Sequence, residues 1–227
     1  MTPTIDVCGV THRLGGRVVL DDVTVRLDEA RIGVIGANGS GKSTFARLLN
    51  GLVVPDAGTV RVGGHDTATH GAAVRRTVGF VFTNPDAQVV MPTVAEDVAL
   101  SLRRHRLGRD EVAARVQDAL AMVGLQGFDD RPSHLLSGGE KQLLALAGAL
   151  VAQPDVLVCD EPTTLLDLAN TRRVMGILHG LAQMVVVVTH DLDTLDLVDR
   201  VLVFAQGRVV ADAAPAEAVA RYRALVG

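Results

Sequence analysis

Apolar and polar positions alternate at the start of the chain. Residues 4–10 and 18–27, the latter containing VTVRL, place an apolar side chain at every second position, which predicts half-buried strands. Residues 31–35 form a short apolar strand that runs into GANGSGKST, and FARLLNGL after it has helical character. GTVRVGG at 58–64 and VGFVF at 78–82 read as further strands, the second ending in the turn-like TNPDAQ. From about 93 to 125 the period lengthens to that of a helix: VAEDVALSL, then RDEVAARVQDALAMVG with Val112, Val116, Ala119, Leu120 and Val123 on one face. In LSGGEKQ, Ser137 and Glu140 have the spacing of a capping box ahead of the apolar run LLALAGALVA. The strand DVLVCDEP, a helix over 168–180, the strand MVVVV, the turn THD, two short strands (VLVF, RVVA) and a helix from Pro215 complete the chain. Strands alternating with helices predict an α/β class, a mainly parallel sheet covered on both faces. The opening part reads as antiparallel, and residues of roughly 90–153 read as an inserted helical subdomain.

Composition narrows this picture. The 227 residues are 48% apolar but only 3% aromatic, so the core must be built mostly of Val, Leu and Ala. A formal net charge of −4 argues against a nucleic-acid partner bound through bulk positive charge. The two cysteines, Cys8 and Cys159, lie far apart without a CxxC, which suggests neither a disulfide framework nor a zinc site and fits a reduced cytosol. The opening MTPTIDVCGVTHRLGG lacks a basic-then-apolar leader pattern. Apolar runs fall short of the ~20 residues that span a bilayer, so a membrane role would come through a partner.

Three stretches carry chemistry. Residues 36–43, GANGSGKS, match GxxxxGK[ST] between a predicted strand and a predicted helix. In that setting the backbone N–H groups of Gly36, Asn38, Gly39, Ser40 and Gly41 can cradle phosphates, with Lys42 reaching the outer oxygens and Ser43 and Thr44 opening the helix. Ser43 offers its hydroxyl to Mg²⁺. The bland alternative, a glycine-rich turn capping an ordinary helix, does not explain the lysine in a chain that has only two. VLVCDE ends an apolar strand with Asp160, placed to hold magnesium through water, and Glu161, placed to polarise an attacking water. By itself, a strand ending in two acids is common; following such a loop, it is informative. His190, after MVVVVT, is a rim histidine on its own and a γ-phosphate contact beside a phosphate-binding sheet. In LSGGEKQ, Gly138 and Gly139 leave the first helical turn bare, so its N–H groups and dipole can approach a phosphate.

Taken in order, GANGSGKST, LSGGEKQ, VLVCDEPTTLLD and VVVVTHD resemble the nucleotide-binding subunit of ATP-binding cassette (ABC) proteins over nearly the whole chain. The resemblance implies a single nucleotide-binding domain over 1–227: an ABC-type P-loop NTPase with a RecA-like core (about 1–89 and 154–227) and a helical subdomain (about 90–153). It implies ATP with Mg²⁺, hydrolysed with Lys42, Glu161 and His190 as catalytic residues. Two ATP molecules would be sandwiched in a head-to-tail dimer, each held by one chain's Lys42 and the other's Ser137, Gly138, Gly139 and Glu140. Asp167 resembles the D-loop aspartate linking the two sites. Two positions depart from the family pattern. Thr83 occupies the Q-loop place of a magnesium-binding glutamine, and Leu14, with His12 nearby, occupies the place of an adenine-stacking aromatic.

FTNPDAQ followed by PTVAEDVA is similar to the ATPases of energy-coupling factor (ECF) importers for vitamins, cobalt or nickel. That resemblance implies a transmembrane scaffold with a substrate-binding membrane subunit as partners and a peripheral place on the cytoplasmic membrane face. Both halves of a nucleotide site are nearly complete in this one chain, which favours a homodimer over a pair with a related ATPase, and the charge balance argues against a nucleic-acid partner. With 37 residues after His190, the form is similar to the biotin-type ATPases. Two alternatives stay open: a soluble ABC ATPase serving iron–sulfur or cell-division assembly, and a low-turnover nucleotide-binding regulatory module.

Overall fold

The computed structural model describes residues 3–164 and 166–227; Leu165, inside the TTLLD stretch, lies outside them. The chain builds two sheets. Strands β1 (Ile5–Leu14) and β2 (Arg17–Leu27) form an antiparallel hairpin, extended by β4 (Ala57–Val62) and β5 (His65–Asp66) in the order β2-β1-β4-β5. The hairpin turns at Gly15 and Gly16, both at positive φ, a conformation cheap only for glycine. β1 runs four residues beyond the sequence expectation. The reason is a break in pairing register between Val7 and Val10, where Gly9 sits at φ 59. Its N–H is bonded at 2.8 Å to Thr24 Oγ1. The break shifts the period-2 pattern and hides the rest of the strand.

The second sheet has the order β10-β9-β3-β8-β7-β6. It comprises β3 (Arg31–Gly36), β6 (Val78–Val81), β7 (Val156–Asp160), β8 (Met184–Val188), β9 (Arg200–Ala205) and β10 (Arg208–Ala213). All neighbours run parallel except β9 and β10. Its central strands are buried on both faces, which explains their unbroken Val runs. Val156, Val158, Val186 and Val188 join one core with Phe45 and Leu48 of α1 (Lys42–Leu49) and the antiparallel sheet. Leu157, Cys159, Val185 and Val187 face a second core built with α5 (Gly138–Leu150) and α6 (Leu168–Gly180). Burying one such Val or Leu contributes about 1.5–3 kcal/mol. α7 (Pro215–Val226) seats Ala218 in a third cluster with Val201 and Val203.

Between β6 and β7 the chain forms α3 (Val94–Leu100), α4 (Arg109–Val123) and α5. α4 buries Val116, Ala119, Leu120 and Val123, whereas Val112, the first residue of the expected stripe, is only partly buried. α2 (Gly71–Thr77) has no counterpart in the sequence reading: it buries Val74 alone, and seven residues with one apolar anchor show no period. No helix among the described residues is long and apolar enough to cross a membrane.

Candidate functional site

The carboxyl ends of β3, β7 and β8 deliver the chemistry-bearing residues. Parallel strands of this kind leave their ligand crevice at that edge. The loop after β3 owes its shape to backbone crowding. A Cβ on Gly36, at φ 152, would lie 2.3 Å from the Phe204 carbonyl oxygen; one on Gly41, at φ 105, would lie 2.6 Å from that of Val19. Gly41 is also the N-cap of α1, where no side chain caps the helix and no acid lies in the first turn. The free N–H groups and the positive helix end are therefore left for an anion. Ala37, Asn38 and Gly39 are exposed at the tip, and Ser43 and Thr44 are half-buried behind it.

Lys42 is 5% exposed and donates through Nζ to the carbonyls of Gly36 at 2.8 Å and Ala37 at 3.0 Å. Burial pulls the Lys42 amine below its ordinary range, and the nearby Glu161 and Asp160 oppose that shift. The Ser40 hydroxyl is buried and has no hydrogen-bond partner among the described residues. A curled lysine and an orphaned hydroxyl within a glycine loop fit a phosphate ligand.

Asp160, 1% exposed at the end of β7, accepts the Ser43 hydroxyl on Oδ1 at 2.9 Å. Arg47, one turn along α1, stands 3.9 Å from its other oxygen. Burial pushes the Asp160 carboxyl up; the Ser43 bond and Arg47 hold it back in part, and Glu161 adds to the rise. A buried acid joined to a hydroxyl in this way is a donor set suited to a hard divalent cation. Glu161 follows at φ 56, a backbone conformation rarely adopted by a non-glycine residue and found at functional sites. Its N–H is bonded to the Val188 carbonyl, and its Oε2 accepts from Thr164 at 3.0 Å and contacts His190 Nδ1. Lys42, Ser43, Asp160, Glu161 and His190 thus converge from three separate chain segments.

LSGGEKQ opens α5 as the sequence reading expects. Ser137 is the N-cap: its Oγ accepts from the Glu140 N–H, and Glu140 Oε2 accepts from the Ser137 N–H at 2.7 Å. That backbone bond is the main cause holding the Glu140 carboxyl below the usual range. Arg131 secures the other oxygen at 3.1 Å and stacks on Phe128, 4.6 Å from its ring centre. The two glycines differ. Gly138 faces open space, while a Cβ on Gly139 would stand 2.7 Å from the side chain of Asn170. Asn170 carries no motif signal and was not anticipated. Asp167 caps α6 by accepting the Asn170 N–H at 2.7 Å.

Thr83 is half-buried just after β6. The glutamine five residues on does not replace it. Gln88 accepts from the Phe82 N–H at 3.0 Å and donates to the carbonyls of Phe80 at 3.3 Å and Ala145 at 3.1 Å, tying the loop to β6 and α5. Lys141, the second lysine, is paired with Asp86 of the same loop at 2.6 Å. Leu14 is 68% exposed at the end of β1. His12 is mostly buried, with Nδ1 3.2 Å from Asp56.

The sequence model described as ABC transporter matches residues 20–164. The chain belongs to the ABC transporter family. It is 53% identical over 219 residues to a putative ABC transporter ATP-binding protein of Deinococcus radiodurans, covering 96% of this chain and 97% of that one. It is 48% identical to the biotin transport ATP-binding protein BioM of Rhizobium etli, covering 92% and 93%. Among solved structures, cbiO1 of Clostridium perfringens, part of the ABC transporter complex cbiONQ, superposes with a TM-score of 0.86 at 30% identity, covering 98% and 92%. The ATP-binding cassette MJ0796, in a dimeric post-hydrolysis state bound to ADP and Pi, superposes with a TM-score of 0.83 at 28% identity, covering 93% and 98%. The fold expected from the residues, an antiparallel opening sheet joined to a mixed sheet with helices, is the fold of this family. The chain is an ABC transporter ATPase.

Proposed function

We propose that this ATPase powers an ECF-type membrane importer, and that its substrate is biotin. The observation that carries the catalytic part is the convergence of Lys42, Ser43 and Asp160 with the Glu161–His190 contact at one sheet edge. The likeness to BioM of Rhizobium etli and to cbiO1 of the cbiONQ complex supports the transport part.

In this reading the 36–43 loop and the start of α1 bind the ATP phosphates, and Lys42 leaves its two carbonyls for the β and γ oxygens. Ser43 and Asp160 would hold Mg²⁺, which when bound would supply charge neutralisation on the phosphates. Glu161 orients and deprotonates the attacking water, and His190 holds the Glu161 carboxylate in place. Thr83 is too short to take the place of a glutamine ligand directly and acts through water. Leu14 offers the adenine an aliphatic surface. The chain works as a homodimer in which Ser137 and Gly138 of one copy meet the γ-phosphate held by the other; the dimeric MJ0796 cassette supports this arrangement. Asp167 lies between the two sites. Residues of about 90–153 form the helical subdomain, and the groove between it and the 82–88 loop receives a helix of a transmembrane scaffold. The complex sits on the cytoplasmic membrane face and includes a substrate-binding membrane subunit.

The test is to purify the tagged chain from gently solubilised native membranes and reconstitute what accompanies it in vesicles. A polytopic scaffold, a small membrane subunit and ATP-dependent biotin uptake are expected. Uptake of cobalt or nickel instead would remove biotin and keep the importer. Soluble partners alone would remove the transport reading.

A further inference from the structure

Glu161 is held by only one of its two carboxylate oxygens. Oε2 accepts from the Thr164 hydroxyl at 3.0 Å and contacts His190 Nδ1, and no hydrogen bond to Oε1 occurs among the described residues. The two holders differ. His190 follows β8 with its side chain 59% exposed, whereas Thr164 is half-buried in the turn after β7. The Thr164 N–H already closes that turn on the Glu161 carbonyl, at 3.2 Å. Its hydroxyl is therefore not needed for the turn and is aimed at the side chain instead. A hydroxyl bonded to a carboxylate is charge-assisted and stronger than a neutral pair. Thr164 and His190 also line an open cavity of about 570 Å³, together with Thr171 and Asp191, and Glu161 is not part of its wall. The two holders thus cover Oε2 on the side of that cavity.

We propose that Thr164 is a positioning residue for ATP hydrolysis: with His190 it holds Oε2, so that Oε1 alone is presented to the attacking water. This rests on Glu161 being the general base, as proposed above, and names a residue that orients it. The last torsion of a glutamate is broad and roughly two-fold, so a single holder leaves the carboxylate free to turn. Two donors arriving at one oxygen from separate chain segments fix its plane and decide which oxygen faces the water. Of the two, the threonine is the stiffer: it is β-branched, and its own backbone is tied to Glu161. In the reaction the water's proton passes to Oε1 and its oxygen bonds to the γ-phosphorus. The bond from that phosphorus to the β–γ bridging oxygen breaks and leaves ADP. Thr164 neither gains nor loses a proton, so its loss slows the chemical step without weakening nucleotide binding.

Steady-state ATP hydrolysis and equilibrium ATP binding, measured on the full chain purified with its partners, test this. Thr164→Val keeps the shape and removes the hydroxyl; kcat should fall about tenfold or more while KM and Kd for ATP stay within about twofold. Thr164→Ser keeps the hydroxyl and should stay within about threefold of the wild-type kcat. In a Glu161→Gln background, Thr164→Val should cause no further loss of the residual turnover, because the group it orients is already gone. Melting temperatures check the folding of all variants, and Thr164→Ala, a second change without a hydroxyl, should repeat the fall seen with Val. An unchanged kcat in Thr164→Val, an equal fall in the Ser and Val variants, or an undiminished further fall in the Glu161→Gln background overturns the role of Thr164. Each of these leaves Glu161 as the base, provided that Glu161→Gln by itself is inactive. Near-normal turnover in Glu161→Gln removes the general-base reading, and the role of Thr164 goes with it.

Discussion

The loop before α1 and the loop before α5 both set glycines at a helix N-terminus, and they leave that terminus in opposite conditions. At α1 the cap is Gly41, no side chain accepts from the first turn, and no acid lies in it. At α5 the cap is Ser137, and Glu140 closes a complete capping box that Arg131 tightens from outside. The first terminus is open and electropositive, able to hold phosphate unaided. The second has already given part of its N–H capacity to its own carboxylate and presents Ser137 and Gly138 as a rigid edge. A strong primary site and a pre-shaped secondary one are what the proposed sandwich of a nucleotide between two copies of the chain would ask for.

The largest effect separates chemistry from binding. Glu161→Gln should lower ATP turnover by about 10²–10⁴-fold, the range for a general base, while ATP affinity in equilibrium titration changes little. Near-normal turnover would move the base elsewhere and leave the His190 contact as structure only.

Next comes the open terminus. Gly41→Ala must place a methyl 2.6 Å from a backbone carbonyl at a φ suited to glycine, so it should cost about 3 kcal/mol from overpacking and strain. For a domain of this size that is a fall in Tm of roughly 6–12 °C, readable by calorimetry. ATP binding should be lost with it.

The glycines of α5 divide the same question. Gly139→Ala meets the Asn170 side chain and should cost about 1 kcal/mol, recovered in part when Asn170→Ala removes the obstruction. Gly138→Ala faces open space, so stability should change by no more than about 0.5 kcal/mol. In the proposed homodimer, turnover should still drop about tenfold or more, because the methyl would occupy the edge offered to the other copy's nucleotide. Unchanged turnover in Gly138→Ala would remove that edge from the reaction.

Much of this was legible because it is local. The 36–43 loop, the capping box of α5 and the acids closing β7 each declare themselves within eight residues, since the physics that demands them acts between neighbours in the chain. What sequence reasoning missed is non-local. Asn170 enforces Gly139 from 31 positions away. Gln88, conspicuous as a possible ligand, ties the loop to β6 and α5, and Arg131 matters through a carboxylate nine residues on. Arg47 beside Asp160 also has no local signature. The same division holds for the fold: Val runs betray the buried parallel strands, but a bulge at Gly9 conceals the end of β1 and a single anchor conceals α2.

The smallest effect sharpens the contrast between the two helix starts. Glu140 is held below its ordinary range chiefly by the Ser137 N–H, so its contribution to stability is present above the unfolded pKa, about 4.3. That contribution should fade as pH falls through the lower folded value. Glu140→Gln keeps a capping oxygen and loses the charge facing Arg131. Its Tm should therefore lie a few degrees below that of the wild type from pH 5 to 7 and converge with it as the pH falls below the unfolded value and the wild-type carboxylate takes up its proton. A gap that stays constant over the whole range would mean that the box acts through hydrogen-bond geometry alone. Arg131 would then be a bystander, and the rigidity of the α5 edge would come from Asn170 packed behind Gly139.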